Sequence, residues 1–435
     1  MPTPSLATAL QRRNIHYGWV VVGATFLTML VTAGAVGAPG VFMVPLQQEF
    51  GWNTSDVSSA LAVRFVLYGL IGPFAAALIN RFGVRRMVLS ALTIVTSGLL
   101  LSLFMTQLWQ LVLLWGVVVG IGTGLTAMVL GATVATRWFS NRRGLVLGLL
   151  SASSATGQLI FLPLLATVTA QSGWRSSLAL VCAMLVVATL AALALLRERP
   201  VDVGLAPFGE TVFVPAPPIV TGLRPLLVAP LIVLRDAAQT RVFWVLFATF
   251  FVCGASTNGL IQTHFIAFCG DHSMLPVAAA SVLALMGVFD FFGTVGSGWL
   301  SDRYDNRWLL FWYYGLRGIA LMFLPFAQFT IGGLTPFAAF YGLDWIATIP
   351  PTVRLTSDRF GRERANVVFG WIFAGHQLGA ASAAFGAGLV RTQTGTYLPA
   401  YIAAGALCIL AAALVLTITS PKTLAARANA GLAAA

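Results

Sequence analysis

Long apolar blocks separated by short polar turns run through the whole chain. A bilayer's hydrocarbon core takes about 20 apolar residues per helix. Twelve blocks meet that length, at about 18–45, 57–79, 87–106, 109–136, 144–170, 174–196, 242–267, 275–300, 308–330, 333–356, 366–390 and 397–419. They carry many glycines, which membrane helices use for close approach. The pattern predicts an all-α membrane protein with twelve transmembrane helices. Residues 197–241 are rich in proline, lack a spanning block and read as a linker. The chain therefore divides into a six-helix half (1–196), a cytoplasmic linker (197–241) and a second six-helix half (242–435).

The halves repeat. RFVLYGLIGPFAAALINRFGVR (Arg64–Arg85) falls on MGVFDFFGTVGSGWLSDRYDNR (Met286–Arg307) at a shift of 222 residues. Asn80-Arg81 then meets Asp302-Arg303, and Arg85 meets Arg307. The same shift sets Arg137 on Arg359, Gly148 on Gly370, Gly157 on Gly379 and Gly173 on Gly395. Two parallel six-helix repeats are the architecture of transporters that hold substrate near the midplane between halves that rock against each other.

Composition narrows the class. The 435 residues are 58% hydrophobic and 9% charged, against about 25% charged in a soluble domain. The net charge of +12 does not point to nucleic acid, because the basic residues form short clusters between apolar blocks rather than one basic face. If the spans alternate, nearly all arginines fall on one side, and Arg175 and Arg391 fall on the other. That asymmetry predicts an inner-membrane protein with both termini cytoplasmic. The polar first residues, with Arg12 and Arg13, run into an apolar block without a cleavage site, so that block is expected to stay as the first helix. The dispersed cysteines read as apolar fillers. Phosphate loops, metal-ligand clusters and nucleophile elbows are missing from the sequence. The expectation is a non-enzyme without cofactor or metal, monomeric, driven by an ion gradient or by exchange.

The turn GPFAAALINRFGVRR (Gly72–Arg86) resembles the signature between the second and third helices of the major facilitator superfamily, with Asn80 where an acid is usual and Asp302 keeping the acid in the second copy. The resemblance implies the major facilitator fold, and a latch at Asn80, Arg81, Arg85, Asp302, Arg303 and Arg307 that releases as the halves rock. RWFSNRRGLVLGLLSASSATG (Arg137–Gly157), HYGW (His16–Trp19) and SGWR (Ser172–Arg175) are similar to the monocarboxylate transporter branch and its bacterial relatives, which include oxalate/formate exchangers. That branch carries an acid in its eighth helix, implicated in proton coupling, and an arginine four residues later that binds carboxylate. Asp290 matches the acid, whereas Thr294 stands at the arginine position. Marks of multidrug antiporters, an arginine in the fourth helix and a G-x-x-x-G-P run in the fifth, are missing.

Ionisable residues inside a membrane cost a few kcal/mol and are functional candidates by default. Asp290 lies twelve residues before Asp302, about 18 Å along a helix and so near the midplane. It reads either as a desolvated carboxylate that takes up a proton or as the structural partner of Arg317 on the next span. Arg64, toward the periplasmic half of the second span, carries a fork suited to a carboxylate; alternatively it snorkels. Asp344, in mid-span before Pro350-Pro351, is a coupling or substrate candidate. His376 is a candidate hydrogen-bonding or relay group, or a satisfied contact between helices. Asn258, Gln262 and Gln158 are uncharged candidates for the substrate cavity. Arg354 reads as a gate or snorkelling residue and His264 as an interface residue. The composite expectation is a proton-coupled transporter of a small organic anion, a monocarboxylate. The alternatives are efflux or exchange of an amphipathic or aromatic compound, and a non-transporting membrane sensor.

Overall fold

The computed structural model describes residues 4–126, 129–210 and 224–419. Its elements follow the apolar blocks. α1 spans Gly18–Phe50, α2 Thr54–Phe82, α3 Val84–Ser102 and α4 Leu108–Trp138. Arg143–Leu195 is two helices joined at Gly173, here α5 (143–172) and α6 (174–195). α7 (Arg224–Ala238) lies in the linker. α8 (Arg241–Asp271), α9 (Pro276–Ser301), α10 (Asn306–Phe323), α11 (Ile331–Asp344), α12 (Ile349–Phe360), α13 (Arg362–Thr394) and α14 (Leu398–Val415) complete the chain.

Ten stretches among the described residues are long and apolar enough to cross a bilayer. Two further crossings come from geometry. α5 and α6 share one apolar run but reverse at Gly173, whose φ of 82° suits glycine; Gly395, its counterpart at the repeat shift, turns with φ 74°. The tenth crossing is broken: α11 ends at Asp344 and α12 starts at Ile349. Neither fragment reaches the length a hydrocarbon core needs, yet together they cross.

The arginine-rich ends of the helices lie on one face, and the exceptions on the opposite face are neutralised. Arg175 pairs with Glu49 at 2.6 Å, and Arg391 pairs with Asp271 at 2.8 Å. Glu49 and Asp271 are themselves related by the 222-residue shift, so each repeat ends its first helix in an acid that holds a later arginine.

Helices before and after the linker meet along α2 and α13. At the opposite face, the Ser55 amide donates to Thr392 Oγ1 (3.2 Å). At the level of Gly69 the backbone passes against Gln377, and toward the arginine-rich face Phe74 meets the Trp371 ring edge-on at 5.8 Å. The seam is thus closed along its length. The linker is partly built into the bundle. His16 caps the Gly18 amide with Nδ1 and reaches the Ala206 carbonyl with Nε2 (2.9 Å), while the Phe208 amide donates to the Trp138 carbonyl (2.8 Å).

Candidate functional site

The strongest polar centre is Arg317 on α10, which is 0% exposed. Its Nε donates to Asp344 Oδ2 at 2.5 Å, and its Nη2 to the main-chain carbonyl of Asp344 at 2.5 Å. Nη2 also reaches the Trp345 carbonyl (3.3 Å), and Nη1 reaches Cys253 Sγ (3.0 Å) on α8. The rings of Tyr314 and Tyr341 flank the guanidinium. The expected pair of Arg317 with Asp290 is not formed; Asp344 is the partner. The reason is the break in the tenth crossing. α11 ends in carbonyls without helical N–H donors, and the C-terminal end of a helix attracts a cation. Arg317 serves both the side chain and the backbone of that end.

Asp290 on α9 faces the other side of the same break. Its Oδ1 accepts the Ile346 amide (2.9 Å), three residues before α12 begins, and the Thr294 hydroxyl (3.0 Å). Ser297, also on α9, donates to the Ala347 carbonyl (2.5 Å). A cation therefore holds the end of one half-helix and an anion the approach to the next, each opposite in sign to the helix dipole it meets. Thr294, which stands where the resembled branch has arginine, binds the acid rather than an anion. Arg317 thus pairs with Asp344 alone, and Asp344 Oδ1 is buried without a hydrogen-bond partner.

Arg64 on α2 is a contrast to Arg317. It is 3% exposed, yet it makes no ion pair or hydrogen bond to any described residue. Its guanidinium lies 4.9 Å from the Phe65 ring. It borders a small void shared with Ala38, Pro39, Phe42, Trp115 and Val119. Next along α1, Gly40 packs against the Gln262 carbonyl of α8, while the residues that line the void, Leu99 and Leu178 among them, all belong to the first half. Both amide atoms of Gln262 are buried without partners, and so is Oε1 of Gln377 on α13. Tyr68 packs on Phe373, which stacks on His376 at 5.5 Å. His376 also contacts Phe250, and its Nδ1 lies 3.4 Å from the Gln377 amide nitrogen. Asn258 lies in the same π-helical stretch of α8 as Gln262, Ala255–Gln262, and its carbonyl accepts the Thr263 hydroxyl (2.8 Å). Wide turns of this kind recur at functional sites. The side chain of Gln158 lies outside the described residues. His264 is satisfied by Tyr397 and the Ala384 carbonyl.

The profile of the Major Facilitator Superfamily matches residues 25–384. The chain belongs to the major facilitator superfamily. Among its relatives, monocarboxylate transporter 13 of Rattus norvegicus is 26% identical over 405 residues, covering 92% of this chain and 89% of that protein. An uncharacterized MFS-type transporter of Bacillus subtilis (strain 168), YcxA, is 22% identical over 89% of this chain and 91% of its own length. The fold is shared with a bacterial homolog of the human lysosomal transporter Spinster, solved inward-facing and unoccupied, at TM-score 0.70 and 15% identity over 92% of this chain and 96% of that one. The protein is a membrane transporter of the major facilitator fold and not an enzyme.

The superfamily turn is held differently in the two repeats. Where the first copy has Asn80, whose side chain lies outside the described residues, the acid comes from elsewhere. Glu198, just beyond α6, accepts the Val84 and Arg85 amides (2.6 and 2.9 Å) and faces Arg137 at 3.7 Å. The first amides of a helix favour a carboxylate. Gly83, with φ 92°, leaves room for it, since a Cβ there would come within 2.4 Å of Glu198. In the second copy Asp305 caps α10 and binds Arg307, while Asp302 pairs with Arg354 on α12 at 3.6 Å. The arginines keep the repeat: Arg85 donates to the Leu193 carbonyl (2.7 Å) and Arg307 to the Ile418 carbonyl (2.8 Å), each at the end of the last helix of its repeat. Arg303 turns back on its own helix, over Trp299. Arg81 lies over Phe82, with Nη1 buried and without a hydrogen-bond partner. Glu198 was missed in the sequence because it lies far along the chain from the turn; its one signal was an acid set between Arg197 and Arg199.

Proposed function

We propose that this transporter moves a small organic anion, a monocarboxylate, together with protons across the inner membrane by alternating access. Both termini are then cytoplasmic, and the halves 1–196 and 242–435 rock as units in a monomer. The observation that carries the anion is Arg64: a buried guanidinium that no acid among the described residues neutralises, bordering a small void in the first half. A carboxylate supplies the missing charge and matches the planar fork. Gln262, Gln377, His376 and Asn258 supply hydrogen bonds from the second half. Similarity to monocarboxylate transporter 13 of Rattus norvegicus supports the same substrate class.

For the proton, the carrier is the pair Asp290 and Asp344. Arg317 pairs with Asp344, which leaves the Asp290 carboxylate in excess, and a proton neutralises it in a site that disfavours net charge. Asp290→Asn keeps an acceptor for the Ile346 amide, so it tests charge with little disturbance of the fold.

The test uses purified protein in liposomes with radiolabelled lactate, pyruvate, formate and oxalate. Uptake that follows an inward proton gradient, collapses with an uncoupler and is lost in Asp290→Asn is the expected result, with substrate exchange retained in that variant. Uptake indifferent to the gradient and to the substitution removes proton coupling. No transport of any of these acids, together with export of an aromatic dye, replaces the anion reading by efflux.

A further inference from the structure

His264 has no part in the polar centre around Arg317, yet it is 0% exposed and bonded through both ring nitrogens. It lies seven residues before Asp271, the end of α8, about 10 Å along the axis. On either side of it the two halves touch, on the face opposite the arginines. α8 meets α1 where a Cβ on Gly40 would come within 2.7 Å of the Gln262 carbonyl, two residues before His264. α13 meets α2 where a Cβ on Gly388 would run into the Ser58 hydroxyl, and where Thr392 Oγ1 accepts the Ser55 amide. His264 joins these contacts. Its Nε2 lies 2.8 Å from the Ala384 carbonyl, one turn before Gly388. That carbonyl is also the helical acceptor for the Gly388 amide.

The partners fix where the hydrogens sit. A carbonyl only accepts, so Nε2 carries the hydrogen, and Nδ1 of the neutral ring accepts from the Tyr397 hydroxyl at 3.1 Å. The charged and titratable groups of the surrounding helices are committed elsewhere. Arg391 on α13 lies over the Tyr397 ring and holds Asp271 with two hydrogen bonds of 2.8 Å. Tyr401 on α14 packs on Phe268, and His272 beyond α8 stacks on Phe329. Glu49 at the end of α1 binds Trp174 and Arg175, and Asp56 on α2 caps the Asn53 amide. The ring itself contacts a hydroxyl and a carbonyl, not an acid. A second proton would sit on Nδ1, turn the Tyr397 hydrogen away and bury a charge without a counterion, which is costly. Water balances that charge once the ring is uncovered, and uncovering it requires α8 and α13 to leave α1 and α2.

We propose that His264 is a proton-operated lock between the halves: its neutral ring holds α8 and α13 in place against α1 and α2, and a proton on Nδ1 releases them. A proton that binds the open form better shifts the population toward it, so acid opens this side and closing expels the proton. The lock rests on the alternating access and the orientation proposed above, in which this face is the outer one; it depends neither on the substrate nor on Asp290.

The experiment measures the distance between nitroxides on cysteines replacing the exposed Gln48 and Gln393, one in each half at this face, by pulsed electron resonance on the full chain in detergent. The native cysteines are buried, which confines label to the introduced sites. Expected is a single short distance at about pH 8 and a several-fold larger population of long distances at about pH 5, across the range in which histidine titrates. His264→Gln keeps a donor for the Ala384 carbonyl but takes up no proton, and should hold the alkaline distribution at both values. Tyr397→Phe removes the bond that favours the neutral ring and should move the midpoint of opening up by about one pH unit. If His264→Gln does not fold, the original chain and Tyr397→Phe decide. A distribution that does not change with pH, or a midpoint that Tyr397→Phe leaves in place, overturns the lock. The same distances in Asp290→Asn separate the lock from the proton carrier proposed above. A pH response kept in His264→Gln and lost in Asp290→Asn overturns the lock and leaves that carrier standing. A response kept in Asp290→Asn and lost in His264→Gln supports the lock even if that carrier fails.

Discussion

Arg64 and Arg317 are both buried arginines in mid-membrane, and the structure predicts opposite responses to the same substitution. Arg317 is neutralised by Asp344 and bonded to main-chain carbonyls, so Arg317→Met strands a carboxylate. Breaking a buried pair from one side costs about 3–5 kcal/mol. Arg64 has no acid. A central arginine costs about 2.5–3.5 kcal/mol on insertion scales, and the Phe65 ring offsets about 1 kcal/mol of that. Arg64→Met should therefore stabilise the protein by about 1.5–2.5 kcal/mol, raising the apparent Tm by about 2–3 °C for a chain of 435 residues in a thermal-shift assay. Transport should move the other way. A desolvated charge pair lost from one side weakens binding by about 2–5 kcal/mol, which is about 30-fold or more. Uptake of the anion into liposomes should thus fall by that factor while the protein becomes more stable. Arg64→Lys, which keeps the charge but not the fork, should fall between. The reasoning fails if Arg64→Met lowers the apparent Tm as Arg317→Met does and leaves uptake within about twofold of the original; Arg64 would then be structural.

Other consequences can be checked on purified protein. Asp344→Asn should destabilise by about 3–5 kcal/mol, and combining it with Arg317→Met should recover much of the loss in thermal unfolding, because no charge is then stranded. Glu198→Ala should cost about 1–2 kcal/mol through the freed Val84 and Arg85 amides. Gly83→Ala should cost at least as much, by positive φ and by collision with the same carboxylate, with the apparent Tm as readout. Ser297→Ala frees the Ala347 carbonyl and should cost about 1 kcal/mol or more while leaving the charges of the site in place.

What was legible in the sequence is what a bilayer enforces on every residue in turn. An unpaired backbone polar group in hydrocarbon costs several kcal/mol, so crossings are written as long apolar blocks, and the arginines between them mark one face. A repeat shifted by 222 residues makes the fold readable from either half. The tenth crossing was visible as an apolar block with two prolines, although its break falls at Trp345–Thr348, ahead of them. Arg64, Asp290, Arg317 and Asp344 stood out because charges inside apolar blocks are rare.

Only the tertiary structure decided which of those charges meet. Arg317 and Asp290 lay on adjacent spans and made a plausible pair, but the guanidinium follows the unpaired carbonyls where α11 ends, and Asp290 follows the amide that leads into α12. Glu198 supplies the acid that Asn80 does not, from a position more than a hundred residues further along the chain. α7, too short to span, was hidden among the prolines of the linker, and its hydrogen bond to Trp371 appears only in the tertiary structure. In each case the physical reason is the same. Apolar length and charge sidedness depend on a residue's neighbours in sequence, whereas the partner of a buried charge depends on which backbone groups other helices leave unsatisfied at its level in the membrane.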